Sequence, residues 1–565
     1  MKNKPMYKVR KIHDFRDMLQ QSVSLFGDQP AFMVKEESRG TYSNVTMQEF
    51  SDDVDALGTA LLQYISKGSR VSILAETRYE WYVSYLSATN GVGVVAPLDK
   101  ELPSQEIANL INRAEVDALI YSASKQPLVE EIIEDIPGVK KLICMDGLNE
   151  YDEVLFFDNL LTEGRQLLEQ GDRTFLDAPI DPEAMTILLF TSGTTSEAKA
   201  VMLSQKNVCA NIENMSSMIY IGPEDTFLSV LPLHHTYECT CGFLCPIYRG
   251  ATIAICEGLR YILPNIKESQ PTIILVVPLM LEMIHRNIMK KVKSNQKMAL
   301  KFELGRKLSK IMLRLGIDLR KKIFAPVHEA FGGNLRLIVS GGAAADPTIL
   351  QDMQDIGIHS VQGYGLTECA PILAVNRDIN FNNHAAGLPM PGVEVKLKDK
   401  DENGIGEFIA RGPSIMLGYF KDPEATAEAI DEEGFYYTGD LGYIDQNGFC
   451  ILTGRKKNVI ISKNGKNIFP EEIETLLSVS PYVAESLVYG EDNQKEDIII
   501  TATIYPDMEA VRERLGSNPD KDALQELLEE EVKKVNKQLV SYKQVRRVVY
   551  RDHEFEKTTS KKIRR

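Results

Sequence analysis

No apolar run in this chain approaches the roughly 20 residues that span a bilayer, so helical membrane spans are not expected. Cysteine is scarce. Eight in 565 residues cannot form a disulfide framework, and reduced thiols in a cytoplasm are expected. Cys239, Cys241 and Cys245 lie close together, but they lack a second ligand pair and stand in an apolar stretch. They read as packing residues rather than as a metal cluster. The first residues, MKNKPMYKVRKIHDF, carry charge without a following apolar core, so no signal peptide is expected. Positive charge is in deficit, with 64 Lys and Arg against 80 Asp and Glu and a net charge of −16. That balance excludes a general nucleic-acid binder. It also requires local positive charge wherever a polyanion binds. The common P-loop, GxxxxGK followed by Ser or Thr, is missing as well. No internal repeat or low-complexity segment stands out.

What is present is ordinary for a globular protein: 44% hydrophobic and 25% charged residues, in a chain long enough for two or more domains. One region gathers the missing positive charge. From Arg286 to Lys322 there are thirteen Lys or Arg against Glu303 and Asp318, a net of +11. Leu304, Leu308, Ile311, Met312 and Leu315 are interleaved at helical spacing. The segment reads either as a solvated helical pair with its apolar face on the core, or as a basic surface for anionic lipid, CoA phosphates or an acidic carrier protein.

Short β-branched or apolar runs recur at 71–74, 118–121, 186–190, 273–277 and 335–339, separated by helical patterns. Such alternation predicts parallel α/β layers. After Gly387 the texture becomes turn-rich, with antiparallel strands expected at 393–398 and 407–410. Thr453-Gly-Arg-Lys-Lys457 then marks a boundary. Beyond it a small α+β domain is expected, with helices at 470–477 and 522–537. The organisation predicted is a large domain over 1–453, a hinge at 454–458 and a small domain over 459–565.

The strongest chemical signal is Thr191-Ser-Gly-Thr-Thr-Ser-Glu-Ala-Lys199, between an apolar strand and a helix that Ser204 would cap. Hydroxyls and backbone N–H groups at Thr191, Ser192, Thr194 and Thr195 can donate to phosphate oxygens. Gly193 permits close approach, and Lys199 adds a point charge. On composition alone, a polar turn between strand and helix explains the run equally well.

The loop resembles the signature of the adenylate-forming superfamily of acyl-CoA synthetases, luciferases and peptide-synthetase adenylation domains. Ser196, Ala198 and Ala200 stand where that signature usually has glycine, proline and glycine. Further segments resemble the family's in the family's order, from about Phe26 to Arg565. The resemblance implies that His235, ending Val230-Leu-Pro-Leu-His-His235, lines the acyl-carboxylate site. It implies that Gly341, Gly342 and Ala343 form a turn against which adenine and the acyl chain pack. In Gln362-Gly-Tyr-Gly-Leu-Thr-Glu368, Tyr364 with Gly365 would meet adenine, Thr367 the α-phosphate, and Glu368 would hold Mg²⁺. Asp440 and Arg455 would bind the ribose. Lys457 would be the pivot, Gly465 would let the pantetheine arm of CoA pass, and Lys562 would be the catalytic lysine. Two adjacent lysines leave Lys561 as the other register.

The implied fold is a large α/β domain of layered subdomains with a small β-barrel-like part, plus a small mobile α+β lid. The implied reaction is ATP-dependent: a carboxylic acid becomes an acyl-AMP with release of pyrophosphate, and the acyl group passes to CoA. Pro278–Met283, the insert before Gly341, and Met202-Leu-Ser resemble the long-chain fatty acyl-CoA synthetase branch. A fatty acid is therefore the expected substrate, with ATP, Mg²⁺ and CoA as cofactors, in a cytoplasmic enzyme with membrane-surface contact through 286–322. The rival readings are a synthetase that loads an acyl carrier protein, and a non-catalytic nucleotide-binding homologue.

Overall fold

The computed structural model describes residues 4–35, 40–147, 154–191, 198–294, 296–461, 466–491, 498–557 and 563. Internal contacts divide the chain into two compact units: residues 1–394 with 410–436, and residues 395–409 with 437–565. This division gives 395–409 and 437–453 to the second unit, where the sequence suggested a break at 453.

Two large sheets organise the first unit. One has its described strands in the order Gly418–Tyr419, Lys199–Ser204, Met185–Thr191, Gly93–Pro97, Ser69–Leu74, Ala118–Tyr121, Lys141–Cys144 and Val154–Phe156. The other runs Leu388–Pro389, Ile372–Val375, His359–Gly365, Leu337–Ser340, Ile273–Val276, Thr226–Ser229, Thr252–Ile255, Pro30–Val34 and Ser43–Thr46. All five short apolar runs read from the sequence are strands of these sheets. Their central pairs are parallel, such as Val71 with Ala118 and Ile274 with Ile338. Parallel strands covered on both faces need unbroken apolar sequence, and Ala118–Tyr121 is buried at all four positions. Antiparallel additions occur at the edges that carry the candidate site: Lys199–Ser204 on Met185–Thr191, and Ile372–Val375 on His359–Gly365.

Helices close the faces through apolar stripes. Met47–Tyr64 starts with a capping box between Thr46 and Glu49. An aromatic cluster of Phe32, Phe50, Tyr82 and Phe243 fills the space behind it, with Phe32 and Phe50 centroids 4.8 Å apart. The only tryptophan, Trp81, is buried and stacks on Tyr85 at 5.3 Å.

The second unit holds most of a four-stranded sheet in the order Glu394–Lys398, Gly406–Arg411, Tyr436–Ile444 and Cys450–Arg455. It also holds a three-stranded sheet in the order Val483–Glu491, Ile499–Pro506 and Arg547–Tyr550. Helices Pro470–Ser478 and Lys521–Asn536 supply Ile473, Leu477, Leu528 and Val532 to its core. Both helices lie within one or two residues of the ranges the sequence predicts. The turn-rich, antiparallel character expected after Gly387 is the four-stranded sheet. Among the described residues no helix is long and apolar enough to cross a membrane.

Candidate active site

Two antiparallel strands, Met185–Thr191 and Lys199–Ser204, flank the hydroxyl-rich run. Its flanking residues Thr191 and Lys199 face each other across the antiparallel pair, and Thr191 Oγ1 donates to the Lys199 carbonyl at 3.4 Å. The pairing fixes where the loop leaves the sheet and where it returns. Ser192, Gly193, Thr194 and Thr195 lie outside the described residues. Downstream, Ser204 caps helix Gln205–Met218 as the sequence predicts, in a reciprocal box with Asn207.

The Lys199 ammonium lies 4.5 Å from the centre of the Tyr419 ring, a cation–π distance. The two-residue strand Gly418–Tyr419 brings Tyr419 there by pairing with Val201 and Met202. From the same ring, the Tyr419 hydroxyl donates to Glu368 Oε1 at 3.1 Å. Tyr436 shares a further hydrogen bond with Tyr419. Burial and the Glu368 charge push the Tyr419 phenol well above its ordinary range, so it stays a donor. One aromatic residue thus holds the loop lysine on its face and the carboxylate on its edge.

Glu368 stands in the short 3-10 turn Thr367–Cys369, just beyond strand His359–Gly365. Its carbonyl accepts from Met416 N at 2.9 Å, which ties the turn to the segment leading to Tyr419. Tyr364 is buried and Gly365 partly so. A side chain at position 365 would meet the Pro371 carbonyl oxygen at 2.2 Å, so only glycine lets the strand turn there. The turn at 341–343 has a parallel explanation. A Cβ on Gly341 would lie 2.8 Å from the Tyr237 ring, and Gly342 has a φ of +87°. Gly342 and Ala343 are exposed, which leaves that rim open for a ligand to pack on.

His235 is half-buried, and its ring lies 4.1 Å from that of His234. His234 Nε2 lies 3.5 Å from Asp99 Oδ2. Burial, followed by the neighbouring His235, pushes the His234 pKa well below the usual histidine range. The pair therefore presents a neutral imidazole at neutral pH, able to accept or donate without adding charge. A small pocket lies beside it, lined by Tyr85, Pro97, Leu233, His234, Thr236 and Cys239 among others.

One residue on from the Tyr237 anchor, Glu238 is fully buried. Ser229 Oγ donates to its Oε1 at 2.6 Å, and the Tyr82 hydroxyl donates to Ser229 Oγ at 2.9 Å. Burial pushes its carboxyl up to about 8, so it is mainly protonated at neutral pH. All eight cysteines are buried thiols outside any disulfide, in keeping with a packing role. Among the described residues no three His, Cys, Asp or Glu side chains cluster to hold a metal.

The second unit has its own constellation. Asp440 and Arg455 face each other in the strand register, and Arg455 Nε lies 3.0 Å from Asp440 Oδ1. Asp440 is buried and held by its backbone N–H, which donates to Thr438 Oγ1 at 3.1 Å. Lys457 is exposed in the 3-10 turn Lys456–Asn458. Next to it Lys456 pairs with the buried Glu407 at 2.7 Å, fixing the start of that turn. Gly465, Lys561 and Lys562 lie outside the described residues. Lys557 and Ile563, on either side of the lysine pair, form an antiparallel bridge. Lys557 is also held by Glu485 and by Glu554, the latter at 2.7 Å.

Sequence reasoning missed Tyr419, His234 and Glu238. Tyr419 is 51 residues from Glu368 and lies in a run, Gly-Tyr-Phe, that carries no chemical signal of its own. His234 was overlooked in favour of its neighbour. An isolated Glu in an apolar helix could have flagged Glu238.

Comparison with known proteins identifies the family. The family described as AMP-binding enzyme matches residues 19–420, and the AMP-binding enzyme C-terminal domain matches 457–565. Long-chain-fatty-acid–CoA ligase 6 of Homo sapiens is 30% identical over 528 residues, covering 88% of this chain and 75% of its own length. Long-chain-fatty-acid–CoA ligase 1 of Cavia porcellus is 28% identical over 538 residues, covering 88% and 74%. In fold, the chain is similar to the adenylation domain of a carboxylate reductase from Mycobacterium chelonae. That likeness has a TM-score of 0.79 at 20% identity, over 97% of this chain and 88% of the other.

Proposed function

The chain belongs to the AMP-binding enzyme family, and we propose that it is an ATP-dependent ligase that activates a fatty acid as acyl-AMP and transfers the acyl group to CoA. The observation that carries the reading is the cluster of Lys199, Tyr419 and Glu368, which sets a cation and a carboxylate on one aromatic anchor at the base of the hydroxyl-rich loop. The names of the two ligase relatives support a long-chain fatty acid as the substrate.

In the first half-reaction, a carboxylate oxygen bonds to the α-phosphorus of ATP and the bond to pyrophosphate breaks. Both partners are anions, so cations must be placed in advance. Lys199 and Lys562 supply positive charge, and Thr367 meets the α-phosphate. Tyr364, Gly365 and the 341–343 turn receive adenine, while Asp440 accepts from the ribose hydroxyls with Arg455 beside it. His235, with the neutral His234 behind it, orients the attacking carboxylate. Glu368 fits a Mg²⁺ ligand, because that ion prefers one or two carboxylates and completes its shell with phosphates and water. Mg²⁺ supplies neutralisation of phosphate charge. In the second half-reaction a thiol attacks the acyl carbonyl and AMP departs. Lys457 serves as the pivot between the two half-reactions, and Gly465 gives passage to the pantetheine arm.

Pyrophosphate release measured with fatty acids of graded length tests the reading. Release is expected only with an added acid, rising toward long chains, with acyl-CoA as the product. Release without any acid dependence would leave a nucleotide-binding homologue. Acyl transfer to an acyl carrier protein but not to CoA would favour the carrier-loading alternative. The basic segment 286–322 is where a membrane-held acid would be met.

Tyr419 is a positioning residue in this scheme. Tyr419→Phe keeps the ring under Lys199 and removes the hydrogen bond to Glu368. A hydrogen bond to a charged group is worth about 1.5–3 kcal/mol. A rise of about tenfold or more in the Mg²⁺ concentration for half-maximal rate is expected, with the KM for the acid unchanged. An unchanged Mg²⁺ titration would reduce Tyr419 to a packing residue.

A further inference from the structure

Helix Gln296–Arg314 has two unlike faces. Phe302, Gly305 and Ser309 are buried on its inner side. Arg306 there reaches Asp352 at 2.8 Å and Asp355 at 2.7 Å, and Lys310 reaches Asp355 at 2.9 Å. These contacts anchor the helix to Pro347–Asp355, so its rotation about its own axis is fixed. The outward side then carries Leu300, Leu304, Leu308 and Ile311, continued by Leu315 just past the helix end. Each of the five is at least half exposed. At about 100° per residue they fall within a stripe roughly 80° wide. Lys307 and Arg314 line one edge of that stripe and Lys301 the other, all exposed. A solvated face would place polar residues where these aliphatics stand, and the core is already served by the opposite side.

We propose that this stripe is a docking surface for an anionic phospholipid bilayer, with the aliphatic row entering the interface and the flanking bases meeting headgroup phosphates. Charge complementarity selects this occupant. The segment 286–322 carries +11 in a chain of −16, so the remainder carries −27. An anionic surface repels the rest of the molecule and attracts this side, which sets the orientation. A second copy docked through the same stripe would bring +11 against +11. An acidic carrier protein would answer the bases but leave the row of five aliphatics without a matching apolar layer. The inference rests on the fatty-acid reading only for its use, since such acids partition into bilayers. The surface itself is argued from the helix.

Cosedimentation of the full chain with vesicles tests the proposal. Pelleting is expected with phosphatidylcholine containing phosphatidylglycerol, not with phosphatidylcholine alone, and it should weaken as salt screens the bases. The variant Leu304→Ser/Leu308→Ser/Ile311→Ser and, separately, Lys301→Gln/Lys307→Gln/Arg314→Gln should each bind at least tenfold more weakly. Thermal unfolding rather than activity certifies their fold, so failure of the ligase reading leaves this test intact. No binding to the anionic vesicles, or full binding by either variant, overturns the proposal. Retention by an acidic carrier protein alone, or a dimer abolished by the serine substitutions, overturns it in favour of that partner.

Discussion

Lys562→Ala is expected to lower acyl-AMP formation by about 10²–10³-fold, the usual cost of removing one preorganised charge from a transition state, while thioester formation from supplied acyl-AMP continues. The selectivity follows from the charges. In adenylation an anionic carboxylate approaches an anionic phosphate, and a cation placed between them offsets repulsion that water would otherwise screen. In the second half-reaction the leaving AMP is already bonded to the acyl carbon, and a thiol replaces it. The measurement is pyrophosphate release from acid and ATP beside thioester yield from synthetic acyl-AMP. Equal loss in both assays removes Lys562 from this role. Selective loss in Lys561→Ala instead shifts the register by one residue.

Glu368→Gln is expected to cost adenylation about the same factor, with a different signature. Glutamine keeps the shape and still accepts from the Tyr419 hydroxyl, so the 3-10 turn is retained. What is lost is the charge that draws a hard cation. The Mg²⁺ concentration for half-maximal pyrophosphate release should rise steeply, and raised Mg²⁺ should restore part of the rate. An unmoved Mg²⁺ titration would take Glu368 out of the metal shell. The two substitutions are told apart because metal rescue is expected for Glu368→Gln and not for Lys562→Ala.

Local order was legible where one physical cause dominates. Ala118–Tyr121 is unbroken and apolar because it is an interior strand, paired in parallel along both edges and buried at all four positions. Ser204 announces a helix because a hydroxyl there satisfies an orphan backbone N–H. The glycines at 341 and 365 stand where a Cβ would strike a ring or a carbonyl. Placement between distant segments was not legible. Tyr419 gains its role from a two-residue strand pairing with Val201 and Met202, and nothing in Gly-Tyr-Phe specifies that partner. The grouping of 395–409 by contacts was not legible for the same reason. Residues 395–409 leave the first unit and join the second because sheet pairing links segments regardless of their order in the chain. His234 was hidden by its neighbour: two adjacent histidines look alike in sequence, and the burial that lowers the His234 pKa is not visible there. In the basic segment the interleaved aliphatics fitted a core-facing helix equally well, and the side to which they turn was decided by Arg306 and its two aspartates.

The single tryptophan makes the region beside the histidine pair optically addressable. Trp81 stacks on Tyr85 with only 14° between the rings, and Tyr85 lines the pocket next to His234. With no second indole anywhere in the 565 residues, all tryptophan emission comes from one rigid, buried position one side chain away from that pocket. The native chain therefore carries its own fluorescent reporter there, and changes in that pocket's surroundings can be followed without attaching a label.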